Sequence, residues 1–349
     1  MGGSYKVGDE MKDLPGIINT ESFSEHLRAR AIRVSTGEVL VTQFQGSLEA
    51  TDFSTPINCD GFGRVHHFHR HQADGWPLNP LPIDPCLKAL GLETQDSIRA
   101  QVFQNAVCNW RCWYCFVDFS LLAGDHRFSS FVTADRLLDL YQAEPDRPFI
   151  LDLSGGQPDL VPEWTYWMMR AIEDRGLTKS VYLWSDDNLS NDYLWRFLSP
   201  TQRTWMAESR HYGRVGCFKG FDPASFTFNT KANPSLYLQQ FELMRRILDE
   251  GFDVYGYVTL TTNTSARIRA QMAEFVDLLQ ERVHPLFPLR VIPLHVTVYT
   301  PTSERLDAEK RFALNAQHEA VVAWKEELDR RFPEEIRLMP ITEHPVNIR

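Results

Sequence analysis

From about Arg99 onward the chain alternates short two-faced strands with amphipathic helices, and no other feature of the sequence narrows the fold as far. Strand candidates are Ala100–Val107, Phe149–Leu153, Ser180–Trp184, Arg214–Lys219, Asp253–Leu260 and Arg290–Tyr299. Helical stretches lie between them at Ala134–Gln142, Pro162–Arg175, Asn191–Phe197, Ser235–Glu250 and Ala266–Arg282. Such alternation implies a parallel sheet with helices outside it. Val181 and Leu183 alternate with Tyr182 and Trp184, Gly216 and Phe218 with Cys217 and Lys219, and Val254 and Val258 with Tyr255, Tyr257 and Thr259. Neighbours on a strand point to opposite sides, so each strand offers an apolar face to helices and a polar or aromatic face to something else. A sheet covered by helices on both sides reads apolar on both. The pattern therefore fits a barrel-like α/β sheet with a wet interior that can hold a ligand. A last helix is expected from Glu304 to Arg331, with Ser303 as its N-cap.

The residues before this region read differently. Arg30–Ser35 and Glu38–Gln43 form a hairpin candidate around Thr36-Gly37. Asn58 to Pro85 is rich in Gly, Pro, Asp and His and reads as a long ordered loop or cap, including His66-His67-Phe68-His69-Arg70-His71. Dense histidines can bind metal, but this segment shows no helical i, i+4 pairing. The division expected is an accessory segment at 1–98, a barrel at 99–300 and a C-terminal helix and tail at 301–349.

A hydrophobic fraction of 43% and an aromatic fraction of 12% are those of a folded chain. The net charge of −10 argues against a general grip on nucleic acid, which needs a basic face. No apolar run approaches the roughly 20 residues of a membrane span, and Met1–Asp13 contains no apolar signal core. A cytoplasmic protein is the expectation. Six cysteines are too few for a disulfide scaffold, and three crowd into eight positions, which points to metal.

Those three are Cys108-Asn-Trp-Arg-Cys112-Trp-Tyr-Cys115, directly after the first strand of the α/β region. Thiolates suit iron–sulfur centres, and a four-iron cube normally takes four cysteines. Three in one loop leave an iron open to a substrate or cofactor, as a catalytic zinc keeps one position free. The competing metal reading is a structural zinc with His126, Cys59 or Cys86 as fourth ligand.

This C-x3-C-x-aromatic-C run, with Tyr114 as the aromatic residue, resembles the signature of the radical S-adenosylmethionine (SAM) superfamily, and the resemblance covers roughly residues 99 to 300. It implies a partial (β/α)6 barrel with the motif in the loop after its first strand. It implies a [4Fe–4S] cluster on Cys108, Cys112 and Cys115, with SAM bound at the open iron and cleaved to a 5′-deoxyadenosyl radical that takes hydrogen from substrate. Tyr114 would lie beside the adenine. Ser154-Gly155-Gly156-Gln157-Pro158 resembles the family's Gly-Gly-Glu-Pro motif, which holds the SAM amino group, but carries Gln157 where Glu is usual. Trp184-Ser185-Asp186-Asp187-Asn188 ends the third strand where the family binds the ribose, and Ser185 and Asp187 are the contacts expected there. Lys219, ending the fourth strand, resembles the group that pairs with the SAM carboxylate. Cys217, two residues earlier, is expected to be a buried filler, with a hydrogen-donor role as the sharper alternative.

The substrate expected is a small molecule or a peptide, with flavodoxin or ferredoxin as the kind of electron donor. Activation of a glycyl-radical protein, modification of tRNA and a non-catalytic metal-binding barrel are the competing readings. No cysteine follows Cys217, so an extension carrying auxiliary clusters is not expected.

Overall fold

The computed structural model describes residues 16–346; Met1–Asp13 and the last three residues lie outside them. Its strands are β1 Ile32–Arg33, β2 Glu38–Thr42, β3 Gly63–His69, β4 Ser97–Phe103, β5 Ser129–Thr133, β6 Ile150–Leu153, β7 Tyr182–Asp187, β8 Tyr212–Phe218, β9 Val254–Thr259 and β10 Val291–Leu294. Seven of them make one curled open sheet in the order β10-β9-β8-β7-β6-β4-β3. All its pairs are parallel except β3 with β4, and β1-β2-β5 form a small antiparallel sheet beside it.

Helices α1 Thr20–Ala31 and α2 Ile83–Leu90 precede the parallel strands. α3 Ala134–Ala143 and α4 Pro162–Asp174 follow β5 and β6; α5 Tyr193–Phe197 and α6 Pro200–Glu208 follow β7. α7 Pro223–Thr230 and α8 Gln239–Asp249 connect β8 to β9, and α9 Ile268–Leu278 connects β9 to β10. A four-residue α10 at Thr300–Ser303 leads to the long α11 at Ala308–Arg331. None of these helices is long and apolar enough to cross a membrane.

The two faces of the strands bury into different cores. Val181, Leu183, Phe218, Val254 and Val258 join the helices in the larger one, where the Phe218 ring lies 5.1 Å from Phe241 and 5.8 Å from Phe275. Tyr182, Trp184, Cys217, Tyr255 and Tyr257 face the other way. There α2 and the segment before it supply Leu81, Ile83, Cys86 and Leu87, which fill the amino-terminal half of the concave face. Strand alternation thus separates a dry outer layer from an inner one.

Three expectations change. Gly63–His69 is a strand, not loop: its antiparallel register with β4, from Gly63↔Phe103 to His69↔Ser97, makes it the edge of the main sheet. The boundary expected at 98/99 falls inside β4. The last helix begins at Ala308 rather than Glu304, because the Asp307 side chain accepts from the Lys310 N–H and supplies the cap expected of Ser303. The first arm of the hairpin is shorter than expected: Arg30 and Ala31 end α1, Ile32 and Arg33 pair with Val39 and Glu38, and Val34 and Ser35 lie in the turn.

Candidate functional site

Beyond β4 the chain runs through Gln104–Val107 into the cysteine loop, which its neighbours hold from several sides. Cys108 N–H donates to the Leu122 carbonyl at 3.1 Å, and the N–H groups of Arg111 and Trp113 donate to the carbonyls of Thr230 and Asn229, each at 3.2 Å. Trp113 Nε1 also donates to Asn229 Oδ1 at 3.0 Å, and Trp110 Nε1 to Thr20 Oγ1 at 3.1 Å. Between the first two cysteines, Asn109 Nδ2 donates to Ser24 Oγ at 2.8 Å and Ser190 Oγ at 2.7 Å. Aromatic rings and amides thus bury the loop's back and leave the sulfurs on its other side. Such a frame orders a loop that the irregular sequence Cys-Asn-Trp-Arg-Cys could not order alone.

All three thiols are free and only partly buried. Burial pushes Cys112 up to about 11 and Cys115 up to about 12, and each is raised further by neighbouring cysteines. Among the described residues no three His, Cys, Asp or Glu side chains are arranged around a single metal ion. A tetrahedral zinc with bonds of about 2.3 Å would draw its sulfurs to within ~3.8 Å of one another; a cube of irons holds its thiolates further apart. The other cysteines lie elsewhere. Cys86 packs on the concave face with Leu81 and Ile83, and Cys59 sits where its N–H donates to Glu144 Oε1 at 2.8 Å. His126 packs against Phe131, with ring centroids 5.8 Å apart. The donor set present, three free thiols in one loop, fits an iron–sulfur cluster.

Tyr114, from the loop itself, and Cys217 and Asp186, from the strands, surround Lys219. Tyr114 Oη accepts from Thr259 Oγ1 at 2.9 Å, which fixes the ring at the carboxyl end of β9. Burial works against the Lys219 ammonium, but Cys217, Tyr114, Cys112 and the Asp186 carboxylate hold its pKa well above the ordinary value. Its Nζ forms no ion pair among the described residues, so a cation stands available at the strand end. Asp186 is partly exposed and is pushed up to about 6 by burial, with Lys219 pulling the other way. Asp152, next to it on β6, is buried and raised well above the carboxylate range, by burial and by the Asp186 charge; Ser154 Oγ donates to its Oδ2 at 2.8 Å. Cys217, pushed up to about 12 chiefly by burial, belongs to the apolar packing of the inner face.

Sequence reasoning missed the far side of this space. Glu49 and Arg64, both buried, approach to 3.2 Å, and burial raises the Glu49 carboxyl to about 7 against the pull of Arg64. Glu49 lies in an irregular stretch and Arg64 on the strand that read as a loop, so no periodicity marked them.

The Gly155-Gly156 turn has a reason nearer than any ligand. Both residues adopt left-handed φ, +82° and +69°. A Cβ on Gly156 would stand 2.2 Å from the Asn105 carbonyl oxygen, and one on Gly155 2.3 Å from Gln104 Oε1. Gln157 N–H donates to the Val107 carbonyl at 2.7 Å, and Asn105 Nδ2 to the Gln157 carbonyl at 2.8 Å. The turn is docked onto the segment leading to Cys108, and only glycine permits that approach. Both glycines remain partly exposed.

Three of the residues expected to contact the ligand are hydrogen-bonded within the protein. Gln157 is buried, with Oε1 accepting from the Asn188 N–H at 2.9 Å and Nε2 donating to Asp187 Oδ1 at 2.7 Å, so both ends of its amide are engaged within the protein. Asp187 is buried and bonded to Gln157, the Leu189 N–H and Arg214. Ser185 is fully buried, its hydroxyl 2.8 Å from Tyr212 Oη. Ser185 and Asp187 share the parity of Leu183 on β7 and so face the helices; Asp186 between them faces the interior. The His66–His71 segment gathers no metal-ligand group among the described residues; His66 pairs with Ala100 across the strands, and burial with the Arg64 charge lowers its pKa to about 3.

No family model matches the chain, and no curated protein matches it. Solved structures that do match include three of SuiB from Streptococcus suis. SuiB bound to precursor peptide SuiA is 15% identical, over 52% of this chain and 36% of that one, with a TM-score of 0.36. SuiB bound to S-adenosylmethionine gives 16% identity over 51% and 36%, with a TM-score of 0.35. A further SuiB structure gives 17%, 52%, 36% and 0.35. The match spans about a third of the SuiB chain, and at that identity and extent the likeness concerns the course of part of the backbone, not its chemistry.

Proposed function

We propose that this chain is a radical SAM enzyme acting on a small molecule or a peptide, supplied with electrons by a flavodoxin or ferredoxin in the cytoplasm. The observation that carries the reading is the trio Cys108, Cys112 and Cys115: three free thiols of one framed loop, with the Lys219 ammonium acting on Cys112. Cys108, Cys112 and Cys115 would hold the [4Fe–4S] cluster. Together, cluster and SAM supply a 5′-deoxyadenosyl radical able to take hydrogen from substrate.

The protein's own residues have separate tasks in this reading. Lys219 pairs with the SAM carboxylate, a contact that needs a permanent cation at the strand end. Tyr114, fixed by Thr259, offers a flat apolar ring to the adenine. Gly155 and Gly156 present backbone to the SAM amino group. Asp186, on the interior face of β7, replaces Ser185 and Asp187 as the acceptor for the ribose hydroxyls. Packing of α2 and of the inner aromatic residues excludes water from the base of the space.

The test is anaerobic reconstitution with iron and sulfide, followed by addition of SAM and dithionite. About four irons per chain and 5′-deoxyadenosine in the product are expected. Uptake of zinc alone, or a cluster that never cleaves SAM, overturns the reading.

A further inference from the structure

Gln157 departs from the motif that its neighbours resemble, and the residue opposite it supplies a physical reason. Arg214 donates through Nη2 to Asp159 Oδ2 at 2.6 Å and to Asp187 Oδ2 at 3.1 Å. On the other oxygen of Asp187 sits Gln157 Nε2, at 2.7 Å, while Gln157 Oε1 accepts from the Asn188 N–H at 2.9 Å. The Asn188 side-chain amide donates in turn to Asn109 Oδ1 at 2.9 Å and to the Cys108 sulfur at 3.9 Å, within reach of a nitrogen-to-sulfur hydrogen bond. Gln157, Asp187, Asn188, Asn109 and Arg214 are all buried.

Glutamate at position 157 could still accept from Asn188. It would also set a second carboxylate against Asp187 with water excluded, and like charges so placed cannot both ionise without a large cost. An amide alone satisfies both neighbours, as donor to one and acceptor to the other.

We infer that Gln157 is a positioning residue: braced by Asp187 and Arg214, it fixes Asn188 so that the Asn188 amide donates to the Cys108 sulfur and raises the reduction potential of the cluster that sulfur ligates. The inference rests on the reading that Cys108 is a cluster ligand. Reduction adds negative charge to the cluster, and a hydrogen bond to a ligand sulfur stabilises that charge, so the donor favours the reduced form. Its loss moves the potential downward. Sequence gave no hint of this link, since Gln157 and Asn188 lie 31 residues apart.

Two measurements on the full chain test it. The first is an anaerobic redox titration of reconstituted protein, followed by electron paramagnetic resonance. Asn188→Ala is expected to bind as much iron as the wild type and to show a more negative midpoint potential. Asn188→Ser, which keeps a small polar group but cannot reach the sulfur, should shift in the same direction and covers the case in which the alanine variant fails to fold. Equal iron with an unchanged potential in a folded variant overturns the inference. The second is thermal melting of the cluster-free protein. Gln157→Glu should melt lower than the wild type, and adding Asp187→Asn should recover part of the loss. A Gln157→Glu protein as stable as the wild type removes the brace, whatever the cluster does. A wild type that takes up no iron and sulfide overturns the parent reading instead, and the melting comparison still decides the role of Gln157.

Discussion

Arg305 donates through Nη1 to the Cys115 carbonyl at 2.6 Å and through Nη2 to the Val117 carbonyl at 2.7 Å. A residue just before α11 thus clamps the exit of the cysteine loop, and its guanidinium stacks 3.7 Å from the Phe119 ring centroid. Two donors in a fixed fork suit two carbonyls two residues apart better than the single ammonium of lysine.

Arg305→Ala should therefore loosen the loop without unfolding the sheet. Losing two charge-assisted bonds at a partly buried site costs about 2–3 kcal/mol locally. Iron per chain after reconstitution should fall well below the wild type, with Arg305→Lys intermediate. Full iron loading in the alanine variant would mean that the loop holds its shape without the clamp.

Alanine at Cys108, Cys112 or Cys115 should each abolish the brown absorbance of the reconstituted protein. Alanine at Cys59, Cys86 or Cys217 should leave it, because those sulfurs are packed in other surroundings. A requirement for Cys59 or Cys86 would contradict the open-site reading.

Asp186 and Ser185 are adjacent and should behave oppositely. Asp186→Asn is expected to weaken SAM binding by about tenfold, the equivalent of one strong hydrogen bond near 1.4 kcal/mol. Ser185→Ala should leave SAM affinity alone and cost about 1 kcal/mol of stability, through the partner lost by Tyr212. Lys219→Met should impair SAM binding with the cluster spectrum intact. Calorimetry on the reconstituted variants separates the two strand faces.

Glu49 gives a pH signature. Its folded pKa near 7 lies above the ordinary 4.5, so the folded chain binds a proton that the unfolded chain has released between those values. The burden of its charge is absent below pH 4.5 and complete above pH 7. Glu49→Gln should consequently be more stable than the wild type at pH 8, by on the order of 3 kcal/mol at most. That advantage should shrink as the pH falls through the same window. Melting curves that differ by a constant amount from pH 8 to pH 5 would remove Glu49 as the titrating group.

The strand faces were legible because hydrophobic alternation is a local signal, and Phe218 against Cys217 and Lys219 is sorted correctly by it. Continued two residues further along β7, the same alternation assigns Ser185 and Asp187 to the helix side with Leu183. That signal was present, and the polarity of the two residues obscured it. β3 was not legible: Arg-Val-His-His-Phe-His has no apolar alternation, and its strand form comes from pairing with β4 over its whole length. The start of α11 was read at Glu304 behind a Ser303 cap, and the Asp307 signal four residues later was missed. Asp307 takes the role, while Ser303 closes the four-residue α10. The link from Gln157 to Cys108 belongs to tertiary packing, which no local pattern encodes.

The apolar plug that α2 makes against Tyr182 and Trp184 has a consequence for turnover. That packing closes the amino-terminal end of the inner face to a ligand. In the proposed reading, whatever enters over the cysteine loop would leave the same way. Spent cofactor and finished product would then queue for a single exit, and a bulky substrate seated at the rim would hold back anything beneath it. Order of arrival and departure would accordingly be imposed by shape alone, before any affinity is considered.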